Sequence, residues 1–278
     1  MAFSPLRSKA FNHSRSLSLP SKSNPAISQF EQNLCNVRCN SEASCSSLSS
    51  MNNKVNALKN LYSNIDDLLQ LPHIQQECQE IKWVDQLLDG HIRLLDACTT
   101  AKDLLSQTKQ HVQDLLSALR RKDMDGVPCC LNSRKKSKKA IQKSLKDLRS
   151  FKSQNIITSS DKDNETMDLV FMLKEAELVT IRMLESLLLY LNGTSKVQNG
   201  WSLVSKLIHS KKAMSYQNEF EKMDAFLQMM SLEDVQIEML MTHLKGMDSN
   251  IHNLEQEIDC LFRQLIKTRV VLLNFLNH

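Results

Sequence analysis

A chain of 278 residues can bury one large core or two small ones, so size alone decides little. Its five glycines and five prolines exclude more, because phosphate-cradling loops, tight hairpins and sheet-rich folds consume glycine at positive-φ positions and long helices do not. A formal net charge of +4 is small for this length, which argues against a chain built as a whole to hold nucleic acid, and its basic character is therefore local.

Residues 1–50 are crowded with Ser and Asn, broken by Pro5, Pro20 and Pro25, and free of acids before Glu31. That composition predicts a disordered, Ser-rich tail, since too few apolar side chains are present to offset the entropy of ordering. An acid-poor, Ser-rich start also fits an organellar transit peptide, which leaves a plastid address open beside a cytoplasmic one. Within the tail, Arg15-Ser16-Leu17-Ser18-Leu19-Pro20 combines a basic residue, a phosphorylatable serine and a proline in the pattern read by 14-3-3-type adaptors. Phosphate on Ser18 would supply the divalent charge that an arginine cluster grips; the bland alternative is an inert tail. Cys35, Cys39 and Cys45 lack the second pair that a zinc knuckle needs.

Helical periodicity begins at Met51, with Val55, Leu58, Tyr62, Ile65 and Leu69 on one face. Pro72 resets the chain and is tolerated in a first helical turn, so a second helix is predicted to run from there through Leu87, Leu94, Cys98, Leu105, Val112 and Leu119, with Gly90 as a bend. Gly126 and Pro128 mark a linker near residues 123–133. A basic helix follows, with Arg134, Lys135, Lys136, Lys138 and Lys139 leading an apolar face of Ile141, Leu145 and Leu148. This run reads as a solvated helix face, a nuclear-import signal, or a contact for anionic lipid or RNA; without interleaved aromatics to stack bases, nucleic acid is the weakest of these. Cys129 and Cys130 stand beside it as candidates for acylation, which makes a peripheral membrane adaptor the principal alternative to a soluble interaction protein.

After a polar linker near residues 158–165, the segment containing Leu169, Leu173, Val179, Ile181, Leu184 and Leu188 is apolar nearly all round, as a central bundle element should be. A further linker near residues 192–200 precedes a short amphipathic piece at 201–211. From Met223 through Leu240, Met247, Leu254, Leu261 and Leu272 to Phe275 the apolar residues alternate steps of three and four over about seven heptads, the register of a coiled-coil-like helix. Glu233 and Thr268 interrupt it. Extra apolar residues at Leu232, Val235, Met239, Phe262, Ile266 and Leu273 predict a widened stripe that clasps more than one neighbour of its own bundle, favouring a monomeric bundle over a dimer seam.

Chemistry is hard to find. His91, His111, His243 and His252 have no carboxylate or cysteine at a recurring ligand spacing, and Asp161, Asp163 and Glu165 lack the glycine and terminal glutamate of a calcium loop. No metal or cofactor is expected and the chain is read as non-enzymatic, with a helical enzyme built around His91 and Asp96 as a remote alternative. Apolar runs such as 187–191 fall far short of the roughly 18 residues that span a bilayer.

Several motifs recur in order along the chain: His13-x-Arg15-Ser16-x-Ser18-x-Pro20-Ser21; Leu61-Tyr62 through Asp67-Leu68-Leu69-x-Leu71-Pro72; Trp83; Leu88-Asp89-Gly90 through Arg93-Leu94-Leu95-Asp96-x-Cys98; Leu116-Ser117-Ala118-Leu119-Arg120-Arg121; Arg134-Lys135-Lys136; and Leu261-Phe262-Arg263-Gln264-Leu265-Ile266 to Arg269-Val270 and Leu272-Leu273-Asn274. In this combination the chain resembles the plant BYPASS-related proteins. The resemblance implies a plant-specific helical family of unknown molecular function, linked to root and shoot development and, in its founding member, to restraining a root-derived mobile signal. It brings no catalytic residue and no cofactor. His91 after Gly90 departs from the Gly-Ser common in relatives, and is expected to alter the surface there. The expected fold is an all-α, elongated helical bundle over residues 51–278, acting through helix faces on other proteins.

Overall fold

The computed structural model describes residues 25–42, 47–72, 74, 81–123, 125–154, 165–193, 218–228 and 234–275. Among them are seven helices: α1 (Pro25–Glu42), α2 (Leu48–Leu69), α3 (Ile81–Arg120), α4 (Val127–Gln154), α5 (Glu165–Asn192), α6 (Glu219–Gln228) and α7 (Asp234–Phe275). No strand occurs among the described residues, so the all-α expectation holds. At 1.5 Å per residue α3 and α7 are each about 60 Å long, which gives the bundle its elongation.

The heptad stripe of α7 is filled by this chain itself. Leu240, Leu244, Met247, Ile251, Leu254, Ile258, Leu261, Leu265, Thr268 and Leu272 are all buried, and α7 packs along both α2 and α3. Lys59–Glu257 and Gln264–Asp66 align α2 parallel to α7, while Lys102–Asp259 and Lys109–Glu255 align α3 antiparallel to it. On the far side, α5 also packs against α2 and α3. These four helices form the central bundle, with α1 laid across α2 and α5, and α4 across α3 and α5. Burial of α5 nearly all round follows from its having so many neighbours.

Four boundaries differ from the sequence expectation. The stretch read as a disordered tail contains α1, whose Phe30, Leu34 and Val37 recur at i, i+4 and i+7 and are buried. Ser47 then opens α2 by accepting the Ser50 amide at 3.1 Å, so the helix starts three residues before Met51. The linker near 123–133 is shorter than expected: Pro128 lies in the first turn of α4, where its missing N–H costs nothing, and the chain turn is made by Lys122. Lys122 has φ +56° and closes α3 with bonds from its own amide to Leu119 O and from the Asp123 amide to Ala118 O, the pattern usually given to glycine. Finally, the 223–275 register is shared by two helices, α6 and α7, rather than carried by one.

The widened stripe is buried only in part: Phe262 packs against the core, but other members stand out. Met239 is 61% exposed and Ile266 42%, with Leu273 also exposed, because α2 and α3 together cover only the three/four seam. Leu232 and Glu233 lie outside the described residues. Thr268, read as an interruption, is fully buried and satisfied, donating to Asp66 Oδ1.

Candidate functional site

The basic helix α4 carries the sequence's strongest local signal, and the structure divides that signal in two. Arg134 points inward and is 3% exposed. Its guanidinium donates to Asp224 Oδ1 of α6 at 3.1 Å and to Leu191 O, at the end of α5, at 2.8 Å, and lies 5.2 Å from the centre of the Phe220 ring. Lys138 reaches the same carboxylate at 2.5 Å. One arginine therefore ties three helices together, capping an orphan carbonyl of α5 and neutralising a mostly buried acid. Arg134 and Lys138 are thereby withdrawn from the surface patch in which the sequence placed them. Lys135, Lys136 and Lys139 remain exposed.

The corner around Arg134 is dense with polar contacts. Asn218 caps α6 by accepting the Glu221 amide at 2.8 Å while its own amide nitrogen donates to Tyr190 O. Tyr190 donates to Glu219 Oε2 and meets Phe220 edge to face. Gly193, at φ +81°, ends α5 where a side chain would press on Asp224. Nearby His111 is held below the usual histidine range, first by burial and then by the Arg134 charge.

A second polar cluster lies deeper. Tyr62 of α2 shares a 2.9 Å hydrogen bond with Thr180 of α5, and its ring stands edge-on to His91 of α3. His91 Nδ1 lies 3.0 Å from Leu87 O and 3.5 Å from Glu177 Oε1, while Lys174 donates to the other Glu177 oxygen at 3.2 Å. Gly90 lies within the unbroken helix α3, and a Cβ there would sit 2.3–2.5 Å from the Glu177 carboxylate, so glycine makes room for a buried acid. Burial raises the Tyr62 hydroxyl well above the ordinary tyrosine range. His91 is thus core, not surface, and its acidic neighbour is Glu177; Asp96, paired with it in the enzyme alternative, is exposed elsewhere on α3. Glu177 gave one sequence signal, a lone acid within the buried positions of the greasiest helix.

A third buried charge, Asp66, accepts from Thr268 and from Gln264 at 2.8 Å, with Lys267 at 3.3 Å. Each cluster joins different helices at a crossing.

Of the cysteine pair proposed for acylation, Cys129 is exposed while Cys130 is half-buried, its thiol pushed up chiefly by burial. Cys35 and Cys39 are exposed on α1, and Cys45 lies outside the described residues. Arg15, Ser18 and Pro20, together with the Asp161 and Asp163 stretch, also lie outside them. Among the described residues no three His, Cys, Asp or Glu side chains are grouped to hold a metal, and no helix is long and apolar enough to cross a membrane. Open clefts among the described residues include one between α6 and α7 beside Glu219, Met239 and His243, and one between α1 and α5 beside Ile27, Arg38 and Phe171.

Fold and interior together define an elongated all-α bundle whose crossings are pinned by buried charges. A family model described as Protein BPS1 matches residues 54–275, and the chain belongs to that family, the BYPASS-related plant family whose motifs it carries. No curated protein and no solved structure matches it.

Proposed function

We propose that the chain is a non-enzymatic interaction protein of plant development, a rigid helical scaffold that presents helix faces to other proteins. Family membership supports the developmental setting. The observation that carries the interaction reading is the outer edge of α7, where Ile266 and Val270, one turn apart, are 42% and 50% exposed while the seam beside them is closed. A pair of this kind on a long helix suits packing by a partner's apolar side chains. Tyr62, Arg134 and Asp66 spend their hydrogen bonds on joining helices at crossings, which supports a scaffold over a catalyst. Phosphorylation of Ser18 would add a switchable contact for a 14-3-3-type adaptor in the segment ahead of α1.

Proximity labelling in plant cells tests this reading, with the full chain compared against an Ile266→Glu, Val270→Glu variant. A set of neighbours lost from the variant at equal protein abundance is the expected result. An unchanged neighbour set would remove the α7 edge as the binding face.

A further inference from the structure

Helix α4 has a second face opposite the one that holds Arg134. At 100° per residue Lys135, Lys136, Lys139, Lys143 and Lys146 fall within an arc of about 100°, and the buried Arg134, Ile141, Leu145 and Leu148 lie on the other side. All five lysines are exposed, and the stripe runs for about 16 Å along the helix. Among the described residues none of the five is paired with a carboxylate, although Lys59, Lys102, Lys109, Lys138, Lys174 and Lys267 all are. Asp147 lies at its margin. The bundle has thus neutralised its inward cations and left one straight row of outward ones.

We propose that this row docks the protein on an anionic lipid surface. The charge sits on lysines, flexible point charges suited to a diffuse negative plane, with no arginine fork aimed at a defined phosphate. No aromatic side chain interrupts the row, so bases have nothing to stack on, and no large apolar side chain offers an anchor for a folded acidic partner. The row lies along the outer side of the helix, as contact with a plane requires, and the exposed Cys129 lies toward the same side, nearly two turns before it. The surface is distinct from the Arg134–Lys139 run of the sequence: it loses Arg134 and Lys138 and gains Lys143 and Lys146. It is also separate from the α7 edge, so either can fail without the other.

The test is co-sedimentation of the full chain with vesicles of phosphatidylcholine alone or with phosphatidylserine added. Binding is expected only with phosphatidylserine and should disappear at high salt. Each neutralised lysine should lower partition about fivefold, so Lys139→Gln with Lys143→Gln should lower it about twenty-fivefold with helical content unchanged. Arg38→Gln with Lys245→Gln, the same charge change elsewhere, should leave it unaltered. Equal loss in that control, retained binding when the row is neutralised, or equal binding to neutral vesicles would each overturn the proposal. So would a wild-type chain that ignores phosphatidylserine but binds single-stranded RNA through the same lysines.

Discussion

The two faces of α4 carry the same kind of charge to opposite ends. On the inner face Arg134 and Lys138 converge on Asp224, and the arginine also caps α5 and lies against Phe220. On the outer face five lysines stand in water without partners among the described residues. A buried cation is retained only where geometry returns its solvation through several directed bonds, whereas an exposed one costs nothing to leave unpaired. In sequence the two sets are interleaved, so a basic run is not a basic surface until the helix has been placed.

The largest expected effect separates the two faces. Arg134→Leu leaves the Leu191 carbonyl unbonded and Asp224 with Lys138 alone, and should lower unfolding stability by about 3 kcal/mol in urea titration. Lys139→Gln on the outer face should change it by less than about 0.5 kcal/mol. Similar losses for both would erase the distinction.

Gly90→Ala asks whether the deeper charge is held by the same logic. The added methyl collides with a carboxylate that Lys174 fixes in place, and a loss of about 2 kcal/mol is expected, mostly recovered in a Glu177→Ala background where the obstruction is gone. Full additivity of the two substitutions would place the strain elsewhere.

A smaller effect concerns proton linkage in the seam. Burial, assisted by Asp259, pushes the Cys98 thiol from 9.0 up to about 12. The unfolded chain therefore ionises first, and stability falls as pH rises from about 9 toward the folded value. The wild type should lose about 1 kcal/mol more than Cys98→Ala between pH 9 and pH 10, read from chemical denaturation at each pH.

How much of this was legible in the sequence depended on whether the cause was local. The α7 seam was legible because a repeat of three and four writes burial directly into the chain, while the break before α7, the buried Thr268 and the exposed flank of Met239, Ile266 and Leu273 were not. α1 was legible and overlooked: Phe30, Leu34 and Val37 carry a helical spacing that Ser-rich surroundings obscure. The role of Arg134 was not legible, since its partner Asp224 comes 90 residues later and no local pattern joins them. His91 looked like a surface change for the same reason, its neighbours Tyr62 and Glu177 arriving from other helices. The lysine row lay between these cases, readable as charge but not as a face until the buried side of α4 was fixed.

The division of α4 can be measured without any substitution, by timing acetylation of each lysine in the folded chain and resolving the sites by peptide mass spectrometry. Lys135, Lys136, Lys139, Lys143 and Lys146 should react together and several-fold faster than Lys138 and Lys174, whose ammonium groups are held by Asp224 and Glu177. Lys138 reacting as fast as its neighbour Lys139 would contradict the account.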